Sequence, residues 1–285
     1  MNKVCAVVVT YNRVDLLKEC IKSIKSQTYP CDILVINNNS TDGTADFLKS
    51  TKIKHLDLEM NTGGAGGFNK GIRFAVEEGH ESLWIMDDDC IPKNNALEQL
   101  VNASEILKND YGFLASRVLW IDGKDHKMNK INKIEKTSDN FYKIKQATFV
   151  SLLVKTEIVR KYGLPIKEFF IWGDDIEFTR RISVRNNIPS YYVENSEVIH
   201  KTKNNIGSKI AFDDISNIER YKYAYRNEFY LYRQEGAFGV VYYLLKCFYN
   251  AARIIIFADN KETRLKQIII GFKEGLNFNP CVEFV

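Results

Sequence analysis

Residues 82–89, Ser-Leu-Trp-Ile-Met-Asp-Asp-Asp, join a short apolar run to three consecutive carboxylates. A run of this length without alternation reads as a strand buried on both faces, the kind found in parallel sheets covered by helices. Similar β-rich runs stand at 4–10, 33–37 and 53–58. Between them the spacing predicts helices at 14–27, 44–50 and 66–79, the first with Leu16, Leu17, Ile21 and Ile24 on one face. This alternation argues for βαβ units and an α/β fold, Rossmann-like, with a mostly parallel central sheet flanked by helices. Open sheets of that kind bind ligands at the carboxyl ends of their strands. The residues found there are Thr10-Tyr11-Asn12-Arg13, Asn37-Asn38-Asn39-Ser40-Thr41-Asp42-Gly43, Asn61-Thr62-Gly63-Gly64-Ala65-Gly66-Gly67 and Asp87-Asp88-Asp89. Each is an ordinary turn composition taken singly. Four on one edge point to a polar site.

Side chains of an extended strand alternate, so Asp87 and Asp89 are expected on one face and Asp88 on the other. Two convergent carboxylates repel unless a cation lies between them. An oxygen-preferring divalent ion, Mn²⁺ or Mg²⁺, suits such a pair and commonly keeps substrate phosphates in its remaining positions. The competing reading is an acidic cap on a helix beginning near Pro92. The glycine-rich stretch is expected as a loop ahead of a helix, where backbone N–H groups can approach a phosphate. It lacks the Gly-Lys-Ser/Thr of a Walker A loop and is not a clean dinucleotide fingerprint. Next to the carboxylates it suggests a nucleoside diphosphate.

A second acidic cluster is Ile171-Trp172-Gly173-Asp174-Asp175-Ile176-Glu177. Asp174 with Glu177 fits a capping box, and Glu177 can pair with Arg180 or Arg181. Asp175 is left over. A carboxylate at a helix start, beneath an aromatic ring and a flexible glycine, is well placed to act as general base on a hydroxyl. His200 closes a strand in Val198-Ile199-His200-Lys201, either as a structural residue or as a neutral metal ligand.

The remaining chain sets limits on partners. With 12% aromatic residues and five prolines among 285 residues, the chain can bury a core. The apolar region 238–257 is interrupted by Lys246 and Arg253, and the N-terminus lacks a signal-peptide pattern, so a cytoplasmic protein without a transmembrane segment is expected. Its six cysteines form no CxxC pair and are expected as reduced thiols. The formal charge of +4 falls in the last 85 residues, which hold 13 basic and 9 acidic side chains. A balanced remainder argues against nucleic acid as a partner. Residues 122–145 read as a Lys/Asn-rich surface insertion, followed by a strand at 147–154, helices at 155–162 and 174–187, and strands at 190–193 and 197–200. The organisation expected is an α/β domain over 1–212 and a helical tail over 213–285. Lys222, Arg226 and Arg233 share one helical face of that tail, as do Lys246, Asn250 and Arg253, amid aromatic and aliphatic residues. A peripheral helix at the cytoplasmic face of a membrane fits this pattern, and so does a helix packed within the chain or in a homo-oligomer.

Taken together, Val9-Thr10-Tyr11-Asn12-Arg13, Asn37-Asn38-Asn39-Ser40-Thr41-Asp42-Gly43-Thr44, Asp87-Asp88-Asp89 and Gly173-Asp174-Asp175-Ile176-Glu177 resemble the GT-A fold glycosyltransferases of family 2 over about residues 3–202. The resemblance implies inverting transfer of a sugar from a nucleotide donor. It assigns the metal positions to Asp87, Asp89 and His200 and the base to Asp175. Thr10, Tyr11, Asn12, Arg13, Asn38, Gly63, Gly64, Asn69, Asp87 and Asp88 become candidates for the nucleotide and donor, and Trp172, Gly173 and Asp174 for the sugar or acceptor. Residues 61–69 and 170–177 look most like bacterial galactofuranosyltransferases, which implies UDP-galactofuranose as donor and a lipid-linked polysaccharide as acceptor. Rhamnosyltransferases using dTDP-rhamnose are close behind, and a non-catalytic nucleotide-sugar-binding module is the alternative of another class. Many relatives carry an acid at position 37 or 38, where this chain has Asn37 and Asn38.

Overall fold

The computed structural model describes residues 3–138, 140–205, 207 and 209–285. Strands β1 (Val4–Thr10), β2 (Asp32–Asn37), β3 (Lys54–Asp57) and β4 (Ser82–Asp87) pair in parallel in the order β3-β2-β1-β4. Helices α1 (Val14–Lys25), α2 (Thr44–Thr51) and α3 (Gly63–Glu77) connect them. Every residue of β1 is buried, with Val4, Ala6 and Val8 in one apolar cluster and Cys5, Val7 and Val9 in another. Helices therefore cover both faces, which is why the strands read as continuous apolar runs. The chain then adds β5 (Cys90–Pro92), α4 (Ala96–Ile106), β6 (Phe113–Leu119), β7 (Glu135–Ser138), β8 (Phe141–Lys143), β9 (Val150–Lys155), α5 (Thr156–Tyr162), α6 (Asp174–Arg180) and β10 (Tyr191–His200). Among the described residues the sheet continues from β4 as β9-β6-β10-β8-β7, antiparallel except for the β6–β10 pair, and β5 pairs with β10.

Several local expectations are corrected. The helix expected near Pro92 begins at Ala96 and is not capped by the acids, because the chain turns back after Asp89 and residues 90–92 pair with β10, placing Cys90 opposite His200. The insertion supplies the hairpin β7–β8 to the sheet edge. The two short strands near 190–200 are one strand with a register shift between Val193 and Glu197. The helix expected at 174–187 is α6 followed by one wider turn over Arg181–Arg185.

The glycine-rich stretch is the first turn of α3, not a loop before it. A Cβ on Gly67 would stand 2.6 Å from Val9, and one on Gly71 would stand 2.7 Å from both Val7 and Ile36. These glycines let α3 lie directly on β1 and β2. A Cβ on Gly63 would meet the Phe170 carbonyl oxygen at 1.9 Å. Gly64 meets nothing within 4 Å.

Helices α7 (Tyr221–Arg233), α8 (Ala237–Phe257) and α9 (Lys261–Asn277) form a bundle with its own core of Ile218, Tyr225, Phe229, Tyr243, Ile254 and Ile268. Ile210 and Ala211 join this core. Residues 281–285 return to the α/β domain, where the Glu283 carbonyl accepts from Leu164 N–H at 2.8 Å and its carboxylate binds Arg73, Lys167 and Asn69. The side chains of the expected cationic stripes are half-buried and bound within the chain. Lys246 pairs with Glu228 at 2.6 Å, Arg253 lies over the rings of Phe212 and Tyr249, and Arg226 and Arg233 bind backbone carbonyls of Glu168 and Phe278. What α8 exposes is apolar, including Phe238 at 90% and Phe248 at 73%. By length and composition this helix is long and apolar enough to cross a membrane, although Lys246 and Arg253 interrupt its apolar run.

The packing of α3 predicts opposite outcomes for two glycines. Gly71→Ala should lower stability by about 1–3 kcal/mol through overpacking, while Gly64→Ala should leave it unchanged or raise it slightly by restricting the unfolded chain. Urea unfolding monitored by circular dichroism reads both.

Candidate active site

β4 ends at Asp87, and Asp88 and Asp89 lie in the turn beyond it. Strand alternation therefore stops at Asp87, which corrects the expected sharing of faces. Asp88 and Asp89 instead converge on Arg13, whose Nη1 donates to Asp88 Oδ1 at 3.3 Å and Asp89 Oδ2 at 2.8 Å. Thr10, at the end of β1, donates its hydroxyl to Asp88 Oδ2 at 2.7 Å. On the other side His200 Nε2 lies 3.1 Å from Asp89 Oδ1, and His200 Nδ1 lies 2.8 Å from Asn129 Oδ1. Asn129 in turn donates through Nδ2 to Thr148.

That chain of contacts tests whether a metal ion fits. With Asn129 presenting its oxygen, His200 Nδ1 carries the proton and the Nε2 lone pair faces a carboxylate oxygen. Two acceptors at 3.1 Å require a cation between them, either a proton or a metal ion. Adjacent ligands of an octahedral ion bound at 2.0–2.1 Å stand roughly 3 Å apart, so the separation suits Mg²⁺ or Mn²⁺. Cys90 closes a compact group with Asp89 and His200, but burial holds its thiol far above the usual range and hence protonated. Carboxylate and imidazole are thus the donors on offer. The His126 ring packs against His200 with centroids 4.7 Å apart, and its Nε2 lies 2.7 Å from the Thr202 hydroxyl. Burial and the neighbouring His200 push its pKa down to about 4, so it stays neutral.

The three acids differ in electrostatics. Burial, then Asp89 and Asp88, push the Asp87 carboxyl well above the usual range. Burial outweighs Arg13 at Asp88 and raises it to about 6. At Asp89 burial is outweighed by the hydrogen bond and charge of His200 and by Arg13, which hold it below the usual range. Asp174 also contributes to raising Asp87, so the two acidic clusters lie in one field.

The second cluster opens on Gly173, the residue capping α6, in a left-handed conformation with φ 89°. Phe170 and Trp172 just before it are also left-handed, with φ 63° and 66°. Bulky residues in that region cost about 1–3 kcal/mol each and persist only where surrounding contacts enforce them. Phe170 is held by Ala65 N–H donating to its carbonyl at 3.1 Å, and Trp172 packs on Tyr221 with centroids 5.1 Å apart. The expected capping box is absent. Glu177 points into the core, fully buried, and pairs with Arg181 at 2.8 Å and Arg185 at 3.0 Å, while Arg180 binds Glu235. Asp175 accepts from Ile176 N–H at 2.7 Å, and burial raises its pKa to about 6. Burial and Asp175 push Asp174 well above the usual range.

Other candidates sort differently. Tyr11 is exposed, and Asn12 ties the first loop to the second by accepting from Thr41 N–H at 2.7 Å. Asn38 is corrected: its amide donates to Asn61 and Gly63 and accepts twice from Thr62, so its hydrogen-bonding capacity is filled. Thr10 is 1% exposed and spends its hydroxyl on Asp88. Gly63 donates its N–H to Asn61 at 2.8 Å, and Gly64 sits in open space beside it. Asn69 is buried two turns along α3, donating to Pro165 and Glu283, which removes it from the strand edge. Three residues were missed: His126 and Asn129, hidden in an insertion read as surface, and Asp57, which binds the Asn37 amide at 2.7 Å. An acid therefore does stand beside position 37, supplied by the neighbouring strand.

Residues 5–161, more than half the chain, match the family described as "Glycosyl transferase family 2". The chain belongs to that family. Galactofuranosyltransferase GlfT1 of Mycolicibacterium smegmatis is 24% identical over 82% of this glycosyltransferase and 84% of its own length. The dTDP-rhamnosyl transferase RfbF of Shigella flexneri is 26% identical over 96% of both chains. Among solved structures, GalNAc-T7 with UDP, GalNAc and Mn²⁺ superposes with a TM-score of 0.61 at 14% identity, covering 78% of this chain and 51% of that one. S. aureus TarS superposes at 0.56 with 18% identity, covering 97% of this chain and 44% of that one. Both share the GT-A fold.

Proposed function

We propose that this glycosyltransferase moves galactofuranose from UDP-galactofuranose onto a hydroxyl of a lipid-linked glycan, with inversion at the anomeric carbon and Asp175 as general base. The observation that carries the reading is the meeting of two acidic clusters at one sheet edge, one seeking a cation and one presenting a carboxylate at about 6. A group with that pKa is roughly nine-tenths ionised at pH 7, yet more basic than a free aspartate. It suits proton removal from an acceptor hydroxyl. Trp172, immediately before the α6 start, offers a face for the sugar. Asp87, Asp89 and His200 would hold Mn²⁺ or Mg²⁺, which when bound neutralises charge developing on the departing diphosphate. Arg13 balances Asp88 and Asp89 from the other side. Galactofuranose is supported by GlfT1, and dTDP-rhamnose, supported by RfbF, is the alternative donor.

We further propose that α8 rests on the cytoplasmic surface of a membrane, near such an acceptor. Its support is an inverted amphipathic pattern: over about 31 Å of helix, Lys246 and Arg253 are half-buried and bound within the chain while Val241, Tyr242, Leu245, Phe248, Ile255 and Ile256 face out. Burial of that face in the headgroup region would remove it from water.

Four outcomes are expected. Asp175→Asn should abolish transfer while leaving donor affinity nearly intact. The wild-type rate at saturating substrate should rise with pH through about 6, because the base works deprotonated, and should be flat above; a rate independent of pH between 5 and 8 rejects the assignment. In thermal shift with Mn²⁺, UDP-galactofuranose should stabilise the chain beyond UDP alone, and a chelator should remove most of the gain; greater stabilisation by dTDP-rhamnose selects the alternative. The full chain should float with anionic vesicles, and Leu245→Glu with Phe248→Glu should stop it. If the wild type stays at the bottom and sediments as a dimer that the double variant dissociates, the face belongs to a second copy.

A further inference from the structure

The loop 169–173 carries an unusual concentration of backbone carbonyls turned toward the bundle. Left-handed conformations at Phe170 and Trp172 orient the carbonyls of Phe169, Ile171 and Trp172 to one side. Buried carbonyls need donors. One side chain reaches all three: Asn227 of α7, 1% exposed, whose Nδ2 lies 2.9 Å from Phe169 O, 3.0 Å from Ile171 O and 2.8 Å from Trp172 O. An amide has two N–H bonds for these three acceptors, so one of them is shared. Its orientation is fixed by the preceding residue, because Arg226 Nε donates to Asn227 Oδ1 at 3.0 Å. The same guanidinium reaches Glu168 O at 2.6 Å and Phe169 O at 3.0 Å. Tyr223, one turn earlier on α7, packs on Phe170 with centroids 4.9 Å apart.

We infer that Asn227, oriented by Arg226, is a positioning residue for glycosyl transfer, holding the strained loop 169–173 so that Trp172 and Asp175 keep their placement. The inference rests on the reading of Asp175 as base. Gly173 caps α6 and Asp174 and Asp175 begin it, so the path of the loop sets where the helix starts. Loss of the shared donor takes this hydrogen bond from the carbonyls of Ile171 and Trp172, while Phe169 O keeps Arg226 and Ile171 N–H, and lets Phe170 and Trp172 relax to ordinary conformations. The residues of β1, β2 and β4 make none of these contacts, and the start of α3 meets the loop at Phe170 O, through Ala65 N–H and the close approach of Gly63. The helical bundle thus contributes to the reaction through the aim of the loop and not through contact with the donor.

The test uses the full chain with Asn227→Leu, nearly the same size without the donor, and Arg226→Met at a half-buried position, each variant's folding read by circular dichroism. Asn227→Leu should lower kcat for transfer about ten- to a hundredfold and Arg226→Met severalfold, with donor KM and the thermal shift induced by UDP and Mn²⁺ unchanged. A folded Asn227→Leu variant with wild-type kcat overturns the inference. So does a parallel fall of kcat and nucleotide binding in step with the folded fraction, since that is all a structural role predicts. If Asn227→Leu does not fold, Arg226→Met decides, and an unchanged kcat there rejects the proposal. Asp175→Asn separates the two readings: inactive alongside a fully active Asn227→Leu, it rejects positioning alone, and fully active, it rejects the base.

Discussion

Like charges crowded at the carboxyl edge of the sheet are the constraint on which the rest depends. Asp87, Asp88, Asp89, Asp174 and Asp175 approach one another, and Arg13 is the guanidinium that binds into the group. Such a cluster stays folded only if some members give up their charge and others find cations. The pattern of shifts follows this division, with Asp89 ionised against His200 and Arg13, Asp175 poised near 6, and Asp87 and Asp174 pushed toward the neutral form. A bound divalent ion would reverse the balance at Asp87, so affinity for the ion and protonation of the site are one linked property. The glycines of α3 and the bent path of loop 169–173 serve the same end, bringing two distant stretches of sequence to one edge.

The α/β layout was legible because β1 and β4 are buried on both faces along almost their whole length, β2 over its last four residues, and α1 carries a single apolar stripe. Both signals are local. The acidic clusters were legible for the same reason, since several carboxylates in a row stand out without knowledge of what surrounds them. The sequence misled where the meaning of a residue depends on a distant partner. Asn38 has the composition of a binding residue, yet Asn61, Thr62 and Gly63 fill its capacity. Asn69 sits in a motif but lies beneath Glu283, more than two hundred positions away. His126 and Asn129 looked like insertion residues because nothing near them in sequence announces that His200 will arrive beside them. The strand rule for Asp87 to Asp89 failed because alternation presumes an extended chain, and the chain turns there.

Charge in the C-terminal third was misread in an instructive way. Lysines and arginines spaced along helices suggested an outward cationic stripe, but these side chains are long enough to reach back over aromatic rings and to backbone carbonyls. Lys246, Arg253, Arg226 and Arg233 all do so. The surface of α8 is left uncharged by the very residues expected to charge it. Helical periodicity identifies which residues share a face, and packing decides which face points outward.

Glu283 has a consequence for how the molecule comes into being. A ribosome makes the acidic motifs and every strand of the sheet before it makes the residue that ties α3 to the turn at 167–169 through Arg73, Asn69 and Lys167. Until residue 283 is made, the emerging chain holds these carboxylates without the clasp that closes the region behind them. Closure of this region therefore waits for residue 283, and a nascent chain carries the crowded carboxylates before it has every contact that arranges them.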